Sequence, residues 1–208
     1  MSTFKKTFLP EVEARIPPGN HLAKGDWPVL SYGPTPEFDE ATWDLRLFGA
    51  CGNPTTLSYS ELKALPNASL TADFHCVTRF SVLDMAWTGV LFRTLAEMAK
   101  PLPSAKWVIA HCEQGYTSNL SLEAMMDDDV LVAWAKDGEP LTPGHGFPLR
   151  LVVPKRYAWK SAKWLRGLEF SEANVRGFWE ERGYHVHADP WTEERYSDQE
   201  APGAELEP

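Results

Sequence analysis

The sequence predicts one α+β domain, and three observations support this fold class. Short strand-like and helix-like segments follow one another without the regular strand–helix alternation of a doubly wound sheet. The 208 residues are 43% hydrophobic and 24% charged, which suits one globular core. Neither common glycine-rich phosphate loop is present in the sequence. We expect residues 26–190 to form this single mixed domain, residues 1–25 to lie over it as an extended arm, and residues 191–208 to form a disordered acidic tail.

The first elements are predicted from alternation and from capping signals. Residues 42–49 alternate between apolar and polar side chains, which indicates a half-buried strand. Ser58 and Glu61 have the spacing of a capping box, so a short helix is expected over 58–65. Residues 69–77 read as a second strand, on which the parity points Cys76 inward at the strand end.

The rest of the chain supplies further short elements. In order, they are a helix over 88–100 with Thr88 as its N-cap, a strand over 105–113, a loop over 114–119, a short helix over 121–126, a tight hairpin at Asp137–Gly138, and strands over 147–154 and 163–170.

Charge and cysteine content exclude several classes of protein. A net charge of -9 argues against a general nucleic-acid binder, because phosphate neutralisation needs a surplus of Lys and Arg. No run is long and apolar enough for a membrane span, and residues 1–18 lack the apolar stretch of an export signal. Three cysteines make a disulfide framework unexpected, so we expect a cytoplasmic protein with reduced thiols.

Two pairs of neighbouring residues suggest other chemistry. His75–Cys76 and His111–Cys112 together have the ligand types of a zinc site, although neighbouring strand residues point to opposite faces. A Cys-His hydrolase would use Cys76 or Cys112, but no glycine turn of the oxyanion type surrounds either residue. A zinc or thiol protein therefore stays open as an alternative.

Several segments, read together, resemble the molybdopterin-binding domain of the sulfite oxidase superfamily. They are HCVTRFS, WTGV, EQGYTSNLSLEAMMDDDVLVAWAKDGEPLTPGHGFPLRLVVP and SAKWLRGLEF, in the order that the superfamily has. The resemblance covers roughly residues 15–170, and GEPLTPGHGFPLRLVVP followed by SAKWL is its most specific part. More narrowly, the chain is similar to the small bacterial cytoplasmic sulfite oxidase-like oxidoreductases.

The resemblance implies a mononuclear molybdenum held by one pterin, in the form without an added nucleotide, and by one cysteine thiolate. Cys76 matches that cysteine, and Tyr116 matches a catalytic tyrosine at the open side of the metal. The positions that match residues around the pterin and its phosphate are Asn20, His21, His145, Arg150, Ser161 and Lys163. Their types suit the task, since Arg gives phosphate a bidentate fork and Lys gives it a point charge. Thr78 follows the metal cysteine closely, so we expect it to hydrogen-bond a ligand at the cofactor site.

The sequence also departs from the sulfite oxidase pattern. Gly19 stands where sulfite oxidases have an arginine before the Asn-His pair, and only Arg79 follows Cys76 closely. A small dianion such as sulfite is therefore disfavoured, and we expect oxygen-atom transfer with a small S- or N-oxide or a sulfite-like compound. No haem domain or dimerisation domain is recognisable, so we expect a monomer that exchanges electrons with an unknown partner. A cofactor-free binding module with the same fold is a further alternative.

Overall fold

Eleven strands and four short α-helices occur within residues 10–204, the part of the chain that the computed structural model describes. The strands are β1 (His21–Leu22), β2 (Asp44–Gly49), β3 (Thr55–Ser58), β4 (Ala68–His75), β5 (Phe80–Leu91), β6 (Trp107–Cys112), β7 (Thr117–Ser121), β8 (Leu131–Lys136), β9 (Glu139–Pro140), β10 (Arg150–Val152) and β11 (Leu165–Ser171). The helices are α1 (Pro10–Glu13), α2 (Tyr59–Ala64), α3 (Phe92–Ala99) and α4 (Leu122–Met125).

The strands form two mixed sheets, which confirms the predicted α+β class. The first sheet has the order β1-β5-β8-β10, with β4 also paired to β5 and β9 to β8. The second has the order β3-β2-β11-β6-β7. Among these pairs, β1 with β5 and β2 with β11 are parallel, and the others are antiparallel.

Strand β8 of the first sheet is buried on both faces. Val132 and Trp134 point into the main core, which also contains apolar side chains of the second sheet. Leu131 and Ala133 point to the opposite face, where a second apolar cluster includes Cys76 and is covered by Trp27 of the N-terminal segment. Because both faces are covered, β8 is apolar from Leu131 to Ala135 rather than alternating.

Most predicted elements are present, and two differ. The capping box at Ser58 and Glu61 starts α2, and Asp137–Gly138 joins β8 to β9. Thr88, however, is not a helix N-cap: residues 88–91 extend β5 and pair with β8, and the helix begins at Phe92. The predicted loop 114–119 instead enters β7, whose polar residues Ser118 and Asn119 are completely buried against β6.

Both ends of the described chain pack against the domain. Near the N-terminus, Arg15 pairs with Asp73 and Asp84, and β1 adds to the first sheet. The expected disordered tail does not hold for residues 191–204, because Arg195 is 4% exposed and Tyr184 forms a β-bridge with Tyr196. The arginine provides a polar anchor that the acidic, proline-containing sequence of the tail did not suggest. The expectation for residues 205–208, like that for residues 1–9, lies outside the described part.

No helix within residues 10–204 is long and apolar enough to cross a membrane.

Gly89 provides a stability test of the pairing between β5 and β8. A Cβ atom at this position would lie 2.0 Å from the Val132 carbonyl oxygen and 2.8 Å from the Ala133 Cα. Gly89→Ala is therefore expected to lower the free energy of unfolding by about 1–3 kcal/mol, measured by chemical denaturation. Gly52→Ala is the control, since its Cβ would come no closer than 3.6 Å to another atom. Equal stability of the two variants would contradict the observed pairing.

Candidate functional site

A cavity of about 490 Å³ lies beside the turn that contains Cys76. Its walls come from five parts of the chain, which are residues 27–34, 74–80, 113–116, 145–164 and 178–184. Seven of the nine residues expected at the site line it: Cys76, Thr78, Tyr116, His145, Arg150, Ser161 and Lys163. A cavity of this volume and with this mixed apolar and polar wall is typical of small-molecule and cofactor sites.

Cys76 is held by the turn that joins β4 to β5. Its N–H donates to the Phe80 carbonyl at 2.8 Å, and the Arg79 N–H donates to the Cys76 carbonyl at 3.0 Å. The Thr78 hydroxyl donates to Cys76 Sγ at 3.1 Å. Burial raises the pKa of the Cys76 thiol, while the Thr78 hydrogen bond and the charge of Arg195 oppose that rise. The turn thus presents one buried sulfur to the cavity, with a polar group that favours its thiolate form.

Asn20 and His21 lie outside the cavity lining. The Asn20 side-chain amide donates to the Cys76 carbonyl at 3.3 Å, the Phe80 carbonyl at 3.1 Å and Ser81 Oγ at 3.1 Å. Asn20 thus supports the turn from outside the cavity. The His21 side chain is exposed, and its backbone pairs with Phe80 in the first sheet.

Arg150 places a positive charge deep in the cavity wall. Its side chain is 2% exposed and donates to the carbonyl oxygens of His145 at 2.9 Å and Ser161 at 2.7 Å. The guanidinium also lies 5.0 Å from the centre of the Trp27 ring. No carboxylate forms an ion pair with it within residues 10–204. Burial lowers the pKa of Arg150 to about 9, so the group stays charged at pH 7 and calls for an anionic ligand.

Lys163 adds a second cation at the same wall. Its ammonium donates to the Leu30 carbonyl at 2.7 Å, Ser31 Oγ at 2.5 Å and the Gly144 carbonyl at 2.9 Å. Burial, helped by the charge of Arg150, lowers the pKa of Lys163 to about 8. Like Arg150, it has only neutral oxygen partners in the described chain.

His145 fixes residues 27–34 to this wall. Its ring stacks on Trp27 at 4.0 Å between ring centres, with 10° between the planes. His145 Nε2 lies 3.1 Å from the Trp27 carbonyl, and Nδ1 lies 2.8 Å from Thr142 Oγ1. A carbonyl can only accept, so Nε2 carries the hydrogen and the Thr142 hydroxyl donates to Nδ1. Burial lowers the pKa of His145, in keeping with a neutral ring.

Three tyrosines line the cavity, and two of them, Tyr116 and Tyr184, differ in the hydrogen bonding of their hydroxyls. Tyr116 lines the cavity as expected, but its hydroxyl donates to the Trp159 carbonyl at 2.7 Å. Burial raises the pKa of Tyr116 well above 10. Tyr184 also lines the cavity, and within residues 10–204 its hydroxyl forms no hydrogen bond. Burial raises the pKa of Tyr184, and Tyr196 and Cys76 raise it further. Tyr184 was missed by sequence reasoning because it follows the matched segments.

A buried ion pair supports the wall behind Trp159 and Ser161. Lys160 Nζ lies 2.5 Å from Glu180 Oε1, and both side chains are at most 1% exposed. The Trp159 indole N–H donates to Glu180 at 2.8 Å, and Lys160 also donates to the Asn119 carbonyl at 2.7 Å. The sequence offered no local signal for this pair, since its members are separated by the whole of β11.

The alternative zinc site lacks the expected grouping of ligands. His75 Nδ1 lies 2.9 Å from Ser81 Oγ, and Cys76 lies across the strand end in the cavity wall. Across residues 10–204, no three side chains of His, Cys, Asp or Glu come together in a way that could hold a metal ion.

The fold and the cavity together define a domain whose cavity wall carries the Cys76 thiol and two cationic side chains. The oxidoreductase molybdopterin-binding domain family matches residues 32–179, and the chain belongs to this family. The resemblance noted in the sequence is thereby confirmed.

The relatives carry oxidoreductase names. The chain is 44% identical over 195 residues to an uncharacterized oxidoreductase, YuiH, of Bacillus subtilis, covering 93% of this chain and 98% of that protein. It is 28% identical over 175 residues to the protein-methionine-sulfoxide reductase catalytic subunit MsrP of Campylobacter jejuni, covering 74% of this chain and 59% of that one. The family and these relatives show that the chain is an enzyme, a molybdopterin-dependent oxidoreductase.

A solved structure supports the fold. The sulfane dehydrogenase SoxCD of Paracoccus pantotrophus superposes with a TM-score of 0.63 at 19% identity, over 88% of this chain and 57% of that one. At this identity, the likeness concerns the fold.

Glu180→Gln tests whether the ion pair behind the cavity is needed for folding. The change leaves the Lys160 ammonium buried without a counter-charge, so the free energy of unfolding is expected to fall by about 3–5 kcal/mol in chemical denaturation. Glu172→Gln is the control, because Glu172 is exposed and accepts a hydrogen bond from the Ser104 hydroxyl at the surface. A loss below about 1 kcal/mol for Glu180→Gln would show that the pair contributes little.

Proposed function

We propose that the chain holds one molybdenum–pterin through the Cys76 thiolate and catalyses two-electron oxygen-atom transfer. The observation that carries the proposal is the buried Arg150 guanidinium, which has no carboxylate partner in the described chain and shares a cavity wall with the Cys76 thiol. An anionic ligand with a thiophilic metal would satisfy both groups.

The residues fit such a cofactor in charge and in ligand type. A thiolate is a soft ligand that suits a metal cycling between oxidation states. Arg150 and Lys163 would face the anionic end of the pterin, since they are the cations of the wall. His145 and the Ser161 backbone orient Arg150 through their carbonyl oxygens. Thr78 would steady the sulfur, and Asn20 would support the turn that carries it. His21 has no assigned contact.

When bound, the molybdenum would supply a two-electron centre that exchanges an oxygen atom with the substrate. The protein would orient the substrate and supply protons at the open side of the cavity. We assign the hydrogen bond to the substrate to the Tyr184 hydroxyl in place of Tyr116, because the Tyr116 hydroxyl already donates its proton to the Trp159 carbonyl. Tyr116 then shapes the wall.

A small S-oxide or N-oxide suits the cavity better than sulfite. Much of the wall away from the two cations is apolar or aromatic, with Phe74, Trp159, Phe178 and Trp179 among its members. A neutral oxide loses little hydration on entering such a space, whereas a dianion loses much. The name of the methionine-sulfoxide reductase relative agrees with this substrate class.

Reduction of an oxide consumes two electrons and two protons and releases water, so the enzyme needs an electron donor. We propose a separate redox partner, with the chain acting as a monomer without haem. The three cysteines are all free thiols, which agrees with a cytoplasmic location.

Cys76→Ser is the direct test of the metal ligand. With the sulfur removed, molybdenum-loaded protein should lose the charge-transfer absorbance from the cysteine thiolate to molybdenum, and turnover of S-oxides should cease. Circular dichroism should show an unchanged fold, because serine is nearly isosteric. Cys51→Ser, a buried thiol outside the cavity lining, should keep both absorbance and turnover. Unchanged absorbance and turnover in Cys76→Ser would refute the assignment.

Lys163→Gln tests the proposed phosphate contact. Loss of one charge-assisted hydrogen bond, about 1.5–3 kcal/mol, should weaken pterin retention by roughly tenfold or more. Retention is measured by the fluorescence of the oxidised pterin after gel filtration. Lys155→Gln removes an exposed lysine that pairs with Asp127 and should retain the pterin as the wild type does. Equal retention by both variants would remove Lys163 from the site.

A further inference from the structure

Arg195 connects the C-terminal segment to the turn that carries Cys76. Its side chain is 4% exposed. One terminal nitrogen donates to the Val77 carbonyl at 2.7 Å, and the other donates to the Pro18 carbonyl at 3.1 Å and to Asn20 Oδ1 at 3.0 Å. The same Asn20 side chain donates to the Cys76 carbonyl. The guanidinium therefore fixes both the turn and the N-terminal segment that supports it.

Gly19 leaves the space in which this guanidinium lies. A Cβ atom at position 19 would lie 3.3 Å from the Arg195 terminal nitrogen and 2.7 Å from Glu193 Oε1. The backbone of Gly19 also has a φ of +71°, which residues other than glycine rarely adopt. The N-terminal segment can approach Arg195 closely because it has no side chain here.

The surroundings of Arg195 leave its charge only partly compensated. Its acidic partner, Glu193, lies at 3.6 Å and is 44% exposed. Arg79 lies nearby, since its Nη1 would be 3.6 Å from the same Cβ position. The guanidinium also packs 4.7 Å from the centre of the Tyr157 ring, and its Nε is buried without a hydrogen-bond partner among residues 10–204. A net positive charge therefore lies directly behind the Cys76 turn.

We propose that Arg195 is a positioning residue for the metal thiolate, fixing residues 76–79 and keeping a buried positive charge beside the metal centre. This inference rests on the proposed function, in which Cys76 binds the metal. The charge stabilises the more negative, reduced state of the centre, so that it raises the midpoint potential. The hydrogen bonds and the charge are separate contributions that different substitutions can distinguish.

Three variants of the molybdenum-loaded full chain test the proposal. Arg195→Gln removes the charge, and Arg195→Lys keeps the charge but loses the fork that joins Val77 to Asn20. Glu200→Gln is the control, because Glu200 anchors the same C-terminal segment to Arg176 and to the Val186 N–H without contacting the turn. The readouts are the midpoint potential of the molybdenum couple, amide hydrogen exchange at residues 77–79, and thermal unfolding.

The expected results separate a positioning role from a merely structural one. Arg195→Gln should lower the potential, favouring the oxidised centre on the order of tenfold, and should speed exchange at residues 77–79. Arg195→Lys should speed exchange while its potential stays near that of the wild type. Glu200→Gln should lower the unfolding temperature with no change in potential.

Two results would overturn the inference. One is a midpoint potential in Arg195→Gln equal to that of the wild type. The other is unchanged amide hydrogen exchange at residues 77–79 in Arg195→Lys, a result that can be obtained even if Arg195→Gln fails to fold. Failure of the proposed function would look different, because the molybdenum absorbance would then be insensitive to Cys76→Ser whatever residue stands at 195.

Discussion

The Arg150 guanidinium carries a full positive charge into the interior and meets carbonyl oxygens and aromatic rings there, with no carboxylate in the described chain. An uncompensated buried charge costs several kcal/mol, so the fold keeps it only at the expense of stability or with an anion as its partner. Much of the site is arranged around this group. His145 and Ser161 accept its hydrogen bonds, and Trp27 packs against both its face and the His145 ring.

Two segments outside the sheets complete the cavity and its surroundings. Residues 27–34 close one side of the cavity and are held there by Lys163 and by Gln114, which donates to the Pro34 carbonyl at 2.9 Å. The segment after β11 adds Tyr184 to the wall and Arg195 behind the Cys76 turn. The sheets thus provide a rigid base, and irregular segments placed on it carry most of the chemistry, as is common for functional sites.

Local patterns in the sequence predicted those features of the fold that depend on neighbouring residues. Alternation predicted β2 and β4, the Ser58–Glu61 spacing predicted the start of α2, and the inward position of Cys76 followed from strand parity. The predicted helix start at Thr88 was wrong because apolar residues continue from strand into helix, so periodicity does not mark the boundary. The packing of residues 191–204 and the position of Tyr184 depend on partners far away in the chain. Val77 accepts from Arg195, and the Trp159 ring packs against Tyr184, and no local pattern encodes these contacts.

Molybdenum and pterin binding is tested most directly by elemental analysis of the protein purified from a host that synthesises the pterin cofactor, combined with fluorescence of the released and oxidised pterin. We expect nearly one molybdenum and one pterin per chain, with both lost when Arg150 and Lys163 are replaced together by neutral residues, because the cavity wall then loses both of these cations. Metal-free and pterin-free protein from such a host would contradict this expectation and favour a binding module that retains the fold.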